Sequence, residues 1–234
     1  SNVEPSQHYA GTCYITVNLH HVNNRDPHVY KTSDYGESWK SISSDIPRSV
    51  FSYARVVRED PVREGLLYLG TENALYVSLN DGDNWLPLQN NMPHAPVHSL
   101  AIQKHFNDLV VGTYGRGYWI MDDLSPIQQL TSTVLESEIH LFSLRQAYRF
   151  HNVAAPISVE DEQFVGAGPD YGASINYYLK SPPAEDVQIS ILDSAGQLIR
   201  TLEGTKMAGI NRVMWDLEHE PSKKAVLRTN NRYA

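Results

Sequence analysis

Over the first 130 residues, apolar and polar side chains alternate in short runs with a period near two, and turn-forming residues separate the runs. Residues 14–17, 29–31 and 39–42 predict three short strands, with 5–9 the candidate for a strand ahead of them. Residues 55–58, 66–69, 74–77 and 85–88 predict four more. A third set follows at 97–102, 109–111, 118–121 and 127–130. From residue 145 the texture changes. Runs at 147–150, 173–179, 187–192, 198–202 and 211–215 are separated by Pro182-Pro183, Asp193-Ser194-Ala195-Gly196 and Ala208-Gly209. Short strands with turn signals about every ten residues predict an antiparallel sandwich. Asp193 to Gly196 reads as a tight hairpin turn, and residues 150–171 as a long loop. Beyond Trp215 the chain turns polar with no evident last strand, so the sandwich reads as cut short.

Two of the turns share a pattern. Thr32-Ser33-Asp34-Tyr35-Gly36-Glu37-Ser38-Trp39 and Ser78-Leu79-Asn80-Asp81-Gly82-Asp83-Asn84-Trp85 both read hydroxyl, any, Asp or Asn, any, Gly, any, any, Trp. The hydroxyl and the carboxylate or amide suit caps for the turn's own backbone N–H groups. The glycine supplies a positive φ, and the tryptophan folds back as an apolar plug. Thr32, Asp34, Gly36, Trp39, Ser78, Asn80, Gly82 and Trp85 are therefore expected to be structural. Gly70-Thr71 and Gly112-Thr113 mark a second equivalent point in consecutive units. A repeat of roughly forty residues with four short strands is the layout of a β-propeller. The third unit has Asp122-Asp123-Leu124-Ser125-Pro126 where the pattern should stand, without glycine or tryptophan, and reads as a closing blade.

The expected fold class is all-β. About three four-stranded blades of a partial β-propeller occupy residues 1–130, a connector 131–145, and an antiparallel β-sandwich of Ig or FnIII type 146–234. Propellers have roughly four to eight blades, so the chain is expected to be the C-terminal part of a longer protein with further blades upstream. Pairing with a second copy is the alternative way to cover the open end.

The two turn motifs resemble the Asp-box, or BNR, repeat of β-propellers such as sialidases, xyloglucan hydrolases, sortilin-type receptors and photosystem assembly factors. Residues 57–61, 65–72, 110–123, 172–179 and 211–217 are similar to one bacterial family of large secreted proteins described as sortilin-like or BNR-repeat glycosyl-hydrolase-like. The resemblance implies a periphery role for the motifs, a propeller followed by a C-terminal sandwich, and an extracytoplasmic location.

Composition sharpens the function classes. An apolar share of 41% suffices for a core, and a net charge of −8 without a Lys/Arg run argues against a nucleic-acid binder. No apolar stretch approaches the roughly 20 residues of a membrane helix. Cys13 is the one cysteine, reads as a buried small hydrophobe, and excludes a disulfide within the chain. Ser1-Asn2 reads as a cloning remnant with no signal peptide after it.

Strand alternation places candidate ligand residues on the side opposite the two motifs: His20, His21, Asn23, Asn24 and Arg25; Glu72 and Asn73; Tyr114, Arg116 and Tyr118. Links between units add Arg48, Phe51, Asn90, Asn91 and His94. Aromatics, amides and arginines suit a glycan or peptide surface. Glycoside hydrolysis needs two carboxylates about 5 to 10 Å apart, and Glu72 is the one acid placed there. A sialidase would add an arginine cluster and a tyrosine nucleophile, for which Arg116 and Tyr114 are an incomplete set. His20, His21 and His28, or Asp122 and Asp123, lack metal-ligand spacing. Asp81 to Asn84 fits the tryptophan motif better than a calcium loop, and Gly115-Arg116-Gly117 is a turn rather than a phosphate loop. No cofactor or metal is expected. The leading expectation is a binding or scaffold module. The alternatives are a glycoside hydrolase, sialidase- or xyloglucanase-like, completed by upstream blades, and a purely structural assembly role.

Overall fold

The computed structural model describes residues 1–149 and 170–220. The chain divides into two compact units, Ser1–Ser132 and Thr133–Ala234.

The first unit is a partial β-propeller. Blade 1 comprises β1 (Asn2–Pro5), β2 (Cys13–Val17), β3 (His28–Thr32) and β4 (Lys40–Ser41), hydrogen-bonded in that order and antiparallel throughout. Its first strand lies at Asn2–Pro5 rather than at the expected 5–9. The Asn2 side-chain oxygen accepts the Val57 N–H at 3.0 Å and an Arg58 guanidinium N–H at 3.3 Å. Blade 2 repeats the order with β5 (Ala54–Glu59), β6 (Leu67–Thr71), β7 (Leu75–Ser78) and β8 (Leu86–Pro87).

Blade 3 departs from the four-stranded expectation. It has β9 (Val97–Gln103), β10 (Asp108–Thr113) and β11 (Tyr118–Met121), and then α1 (Ser125–Gln129) where 127–130 was expected as a strand. The local reason is chemical. Asp123 accepts the Ser125 hydroxyl at 2.6 Å and its N–H at 3.2 Å, and Pro126 sits in the first turn, where its missing N–H costs nothing. Asp60, fully buried, holds the helix against blade 2: both its oxygens accept from Gln128 at 3.0 Å, and Tyr68 donates at 3.3 Å. The Arg63 guanidinium donates to the carbonyls of Ile127, Leu130 and Leu79 at 2.9, 3.0 and 3.1 Å.

Two apolar clusters join the blades. Tyr14, Val29, Ile42 and Ile46 of blade 1 meet Val57, Leu67, Leu69 and Trp85 of blade 2. Val56, Leu66, Tyr68, Leu75 and Val77 on the other side of blade 2 meet Val97, Leu100, Leu109, Val111 and Leu124. Blade 2 is thus covered on both faces, and every residue of β6 is buried, whereas β2 in blade 1 alternates buried and half-buried. That difference is already visible in the continuous apolar run of β6 against the alternation of β2.

The second unit opens within α2 (Ser132–Glu136). It contains β12 (Ile139–Leu141), β13 (Ala173–Leu179), β14 (Val187–Leu192), β15 (Leu198–Gly204) and β16 (Gly209–Trp215), in two antiparallel sheets ordered β12-β13-β16 and β14-β15. The stretch expected as a connector therefore carries a helix and an edge strand, Ile139 pairing with Leu179. Residues 147–149 form no strand, and Phe150, like nearly all of the expected 150–171 loop, lies outside the described residues. The expected turn forms, with the Gly196 N–H donating to the Asp193 carbonyl at 3.0 Å and the Ala195 N–H to its carboxylate at 2.8 Å. The Tyr177 hydroxyl, on β13, donates to the Thr205 carbonyl at 2.5 Å and ties the first sheet to the end of β15.

Candidate functional site

Antiparallel alternation sets the β3–β4 and β7–β8 turns at one edge of the blades and the β2–β3, β6–β7 and β10–β11 turns at the other. The first pair are the two tryptophan motifs. Their hydrogen bonds superpose residue for residue. The Gly36 N–H donates to the Thr32 hydroxyl at 2.9 Å and the Ser38 N–H to Asp34 at 2.9 Å. In the second turn the Gly82 N–H donates to the Ser78 hydroxyl at 2.8 Å and the Asn84 N–H to the Asn80 side-chain oxygen at 2.9 Å. Hydrogen bonds from the Ser38 side chain and backbone and from the Thr32 hydroxyl hold the Asp34 carboxyl down to about 2.

The tryptophans differ. Trp85 is 5% exposed, and its indole N–H donates to the Ile42 carbonyl of blade 1 at 2.6 Å. Trp39 is 42% exposed, so it is not the buried plug expected from the motif. A plug of this kind packs on the preceding blade, and among the described residues no blade precedes the first.

Between the tips and blade 1 lies a cavity of about 480 Å³ lined by Tyr9, Tyr14, Lys31, Tyr35, Glu64 and Asp81. Its polar groups are engaged with one another. The Tyr14 hydroxyl donates to Asp81 at 2.8 Å and to the buried Glu59 at 3.2 Å, Lys31 pairs with Asp81, and the Tyr9 hydroxyl donates to Glu64 at 3.0 Å. Burial, with those two carboxylates, pushes the Tyr14 hydroxyl well above the ordinary phenol range. These contacts pin the second tip to blade 1.

On the opposite edge the structure gathers several of the sequence candidates around one ring. Tyr53, 4% exposed, stacks on His20 with centroids 4.9 Å apart and planes at 14°. The guanidinium carbons of Arg25 and Arg55 stand 5.7 and 5.0 Å from its centroid. His21 lies beside His20 with ring centroids 3.7 Å apart. Glu72 pairs with Arg55 at 2.5 Å, and its N–H donates to the Tyr53 carbonyl at 3.2 Å. Desolvation, then the neighbouring His21, Arg55 and Arg25, hold the His20 imidazole below its usual value, favouring the neutral ring. The Asn73 carbonyl lies 3.2 Å from His94 Nδ1.

Tyr114, Arg116 and Tyr118 form a separate group on the third turn, all exposed. Tyr114 stacks on His98 at 5.4 Å, and the Arg116 carbonyl accepts the Trp119 indole N–H at 3.0 Å. The centre of the first group, Tyr53 and Arg55, was not among the sequence candidates. An aromatic and an arginine two residues apart, flanking the first residue of β5, was the available signal.

Chemically this edge offers cations and imidazoles gathered around a buried ring rather than a pair of free acids. Glu72 is bound to Arg55 at 2.5 Å and Asp26 to Arg48 at 3.5 Å. Among the described residues no group of three or more His, Cys, Asp or Glu is placed to hold a metal ion. No helix there is long and apolar enough to cross a membrane.

No protein-family model matches the sequence, and no curated protein matches it. Among solved structures the chain is similar to an ancestral GH74 enzyme, with 18% identity and a TM-score of 0.39 over 48% of this chain and 13% of that one. It is similar to the GH74 enzyme of Niastella koreensis, with 15% identity and a TM-score of 0.41 over 52% of this chain and 21% of that one. It is also similar to YCF48 bound to D1 peptide, with 15% identity and a TM-score of 0.37 over 86% of this chain and 52% of that one. The chain spans well under two thirds of each, and likenesses at these scores assign no residue a role.

Proposed function

We propose that the chain is a non-catalytic β-propeller binding module of a larger extracytoplasmic protein, recognising a glycan or a peptide on the edge opposite the tryptophan turns. The observation that carries this reading is the Tyr53 cluster. His20, Arg25 and Arg55 converge on one ring, with His21 exposed beside it. Planar and cationic groups of this kind stack on sugar or peptide faces and donate to their oxygens. The same cluster speaks against hydrolysis, because Glu72, the candidate acid, is bound to Arg55. The other partners proposed are further blades of the same protein.

The test is a panel of oligosaccharides and peptides bound to the full-length protein, repeated with His21→Ala and Arg25→Ala together. Both side chains stand on the surface, so the pair should weaken binding at least tenfold without changing the melting temperature. Absence of any binding from both panels would count against the module. Turnover of aryl-glycosides or polysaccharides that disappears in Glu72→Gln would replace it with the glycoside-hydrolase reading.

A further inference from the structure

We infer that the sheet face of blade 1 turned away from blade 2 is a docking surface for another four-stranded blade of the same repeat, seated as blade 1 is seated on blade 2. This inference rests on the further-blade partnership proposed above, locates its surface from the repeat geometry, and is independent of the ligand.

The register of the two sheets makes the comparison position by position. Val3, Ile15, Tyr30 and Ser41 are cross-strand partners in one row of blade 1. Val57, Leu69, Tyr76 and Pro87 form the equivalent row of blade 2. Cys13 opposite Thr32 corresponds likewise to Leu67 opposite Ser78. In blade 2 these positions are core: Val57, Leu67 and Leu69 are fully buried against blade 1, with Tyr76 packed beside them. In blade 1 the same positions keep their apolar character and lack the cover. Val3 is 64% exposed, and Cys13, Ile15 and Tyr30 are half-buried.

The tips report the same vacancy from a different direction. The Trp85 indole N–H donates to a blade-1 carbonyl, and its backbone N–H donates to Asp45 of blade 1 at 2.8 Å. A Cβ on Gly82 would stand 2.6 Å from Ile42 Cδ1, so blade 1 closes over that glycine. Over Gly36 the nearest atom to such a Cβ is Trp39 Cζ2, at 3.8 Å. Continuity with the interface of blades 1 and 2 therefore specifies the occupant. It brings an apolar face, a main-chain carbonyl for the Trp39 indole, a carboxylate for the Trp39 N–H, and an aliphatic side chain over Gly36. One position differs, Tyr35 standing where the second tip has Asp81, so the occupant need not carry the Tyr14–Lys31 pair that holds Asp81.

The probe is blade 1 itself. Duplicating residues 1–54 ahead of Ser1 keeps the spacing between β1 and β5 and presents a second set of Tyr14, Val29, Ile42 and Asp45 to the open face. The expected result is at least tenfold slower amide exchange in residues 36–41 of the original blade than in the 234-residue chain, with Ile15→Asp in that blade abolishing the gain. Unchanged exchange would overturn the inference. So would a 234-residue chain that sediments as a dimer and is made monomeric by Ile15→Asp, since the face would then belong to a second copy. A measurement that does not rely on the duplicated protein folding is the double change Val3→Ser with Ile15→Thr in the 234-residue chain. It should leave the melting temperature within about 2 °C, while Leu69→Thr lowers it by roughly 8 °C or more. Equal losses would mean the face is already part of a core and sink the inference.

Discussion

Replacing each motif tryptophan by alanine tests whether the motif stabilises through its own turn or through the blade before it. Trp85 is 5% exposed and donates its indole N–H to the Ile42 carbonyl at 2.6 Å. Deleting a buried tryptophan costs about 3–5 kcal/mol, and the orphaned carbonyl about 1 kcal/mol in addition. The turn's own hydrogen bonds survive the change, so Trp85→Ala is expected to lose about 4–6 kcal/mol. Trp39 follows the same pattern and has the equivalent turn bonds but is 42% exposed, so its loss removes much less buried surface. Trp39→Ala is expected to cost about 1 kcal/mol, in the range of partly exposed positions. Trp85→Phe, which keeps a ring and loses the donor, should fall between them at about 1–2 kcal/mol. Urea unfolding of the 234-residue chain followed by far-UV circular dichroism, which does not depend on the altered fluorophore, gives the three values. Losses for Trp39→Ala and Trp85→Ala within about 0.5 kcal/mol of each other, on the scale of about 4–6 kcal/mol set above, would refute the claim that the neighbouring blade supplies the difference.

Three further expectations follow from other contacts. Gly36→Ala and Gly82→Ala impose similar backbone strain, at φ of 92° and 84°, but only the second meets Ile42 at 2.6 Å; thermal melts should show about 1 kcal/mol for the first and at least 2 kcal/mol for the second. Asp34 is held at about 2 against its ordinary 3.8, so its contribution is fully present above the ordinary value and is lost as pH falls through the lowered one. On acidification the Asp34 side-chain carboxyl carbon resonance should titrate with a midpoint near 2, and Asp34→Asn, which copies the Asn80 of the second turn, should remove that transition; a midpoint at the ordinary value would contradict the capping. Arg63→Leu strands the carbonyls of Leu79, Ile127 and Leu130. It should cost about 2–4 kcal/mol and accelerate amide exchange in α1 before any other element of the first unit.

Strand identity was legible wherever period and punctuation agreed. The two tips could be placed from four fixed residue types, because a hydroxyl, an Asx side chain and a glycine satisfy their own turn without help from the rest of the chain. The segment 127–130 misled because its apolar residues suit a strand and a helix face equally; the Asp123 contacts to Ser125 and the docking of Gln128 on Asp60, 68 residues away, decided for a helix. The first strand was displaced because Asn2 has no apolar signal and is fixed by Val57 and Arg58 across the blade interface. The Tyr53 cluster was half visible: the turn residues His20, His21, Arg25 and Glu72 announced themselves, but the ring they surround comes from the link just ahead of β5.

What the sequence determined by itself is therefore local and periodic: an all-β chain, a repeated blade, and turns whose polar groups are satisfied within eight residues. Tertiary structure decided which of two equivalent surfaces becomes core. Val3, Ile15 and Trp39 read the same as Val57, Leu69 and Trp85 along the chain, and burial separates them because burial depends on what stands opposite, which no window of sequence contains.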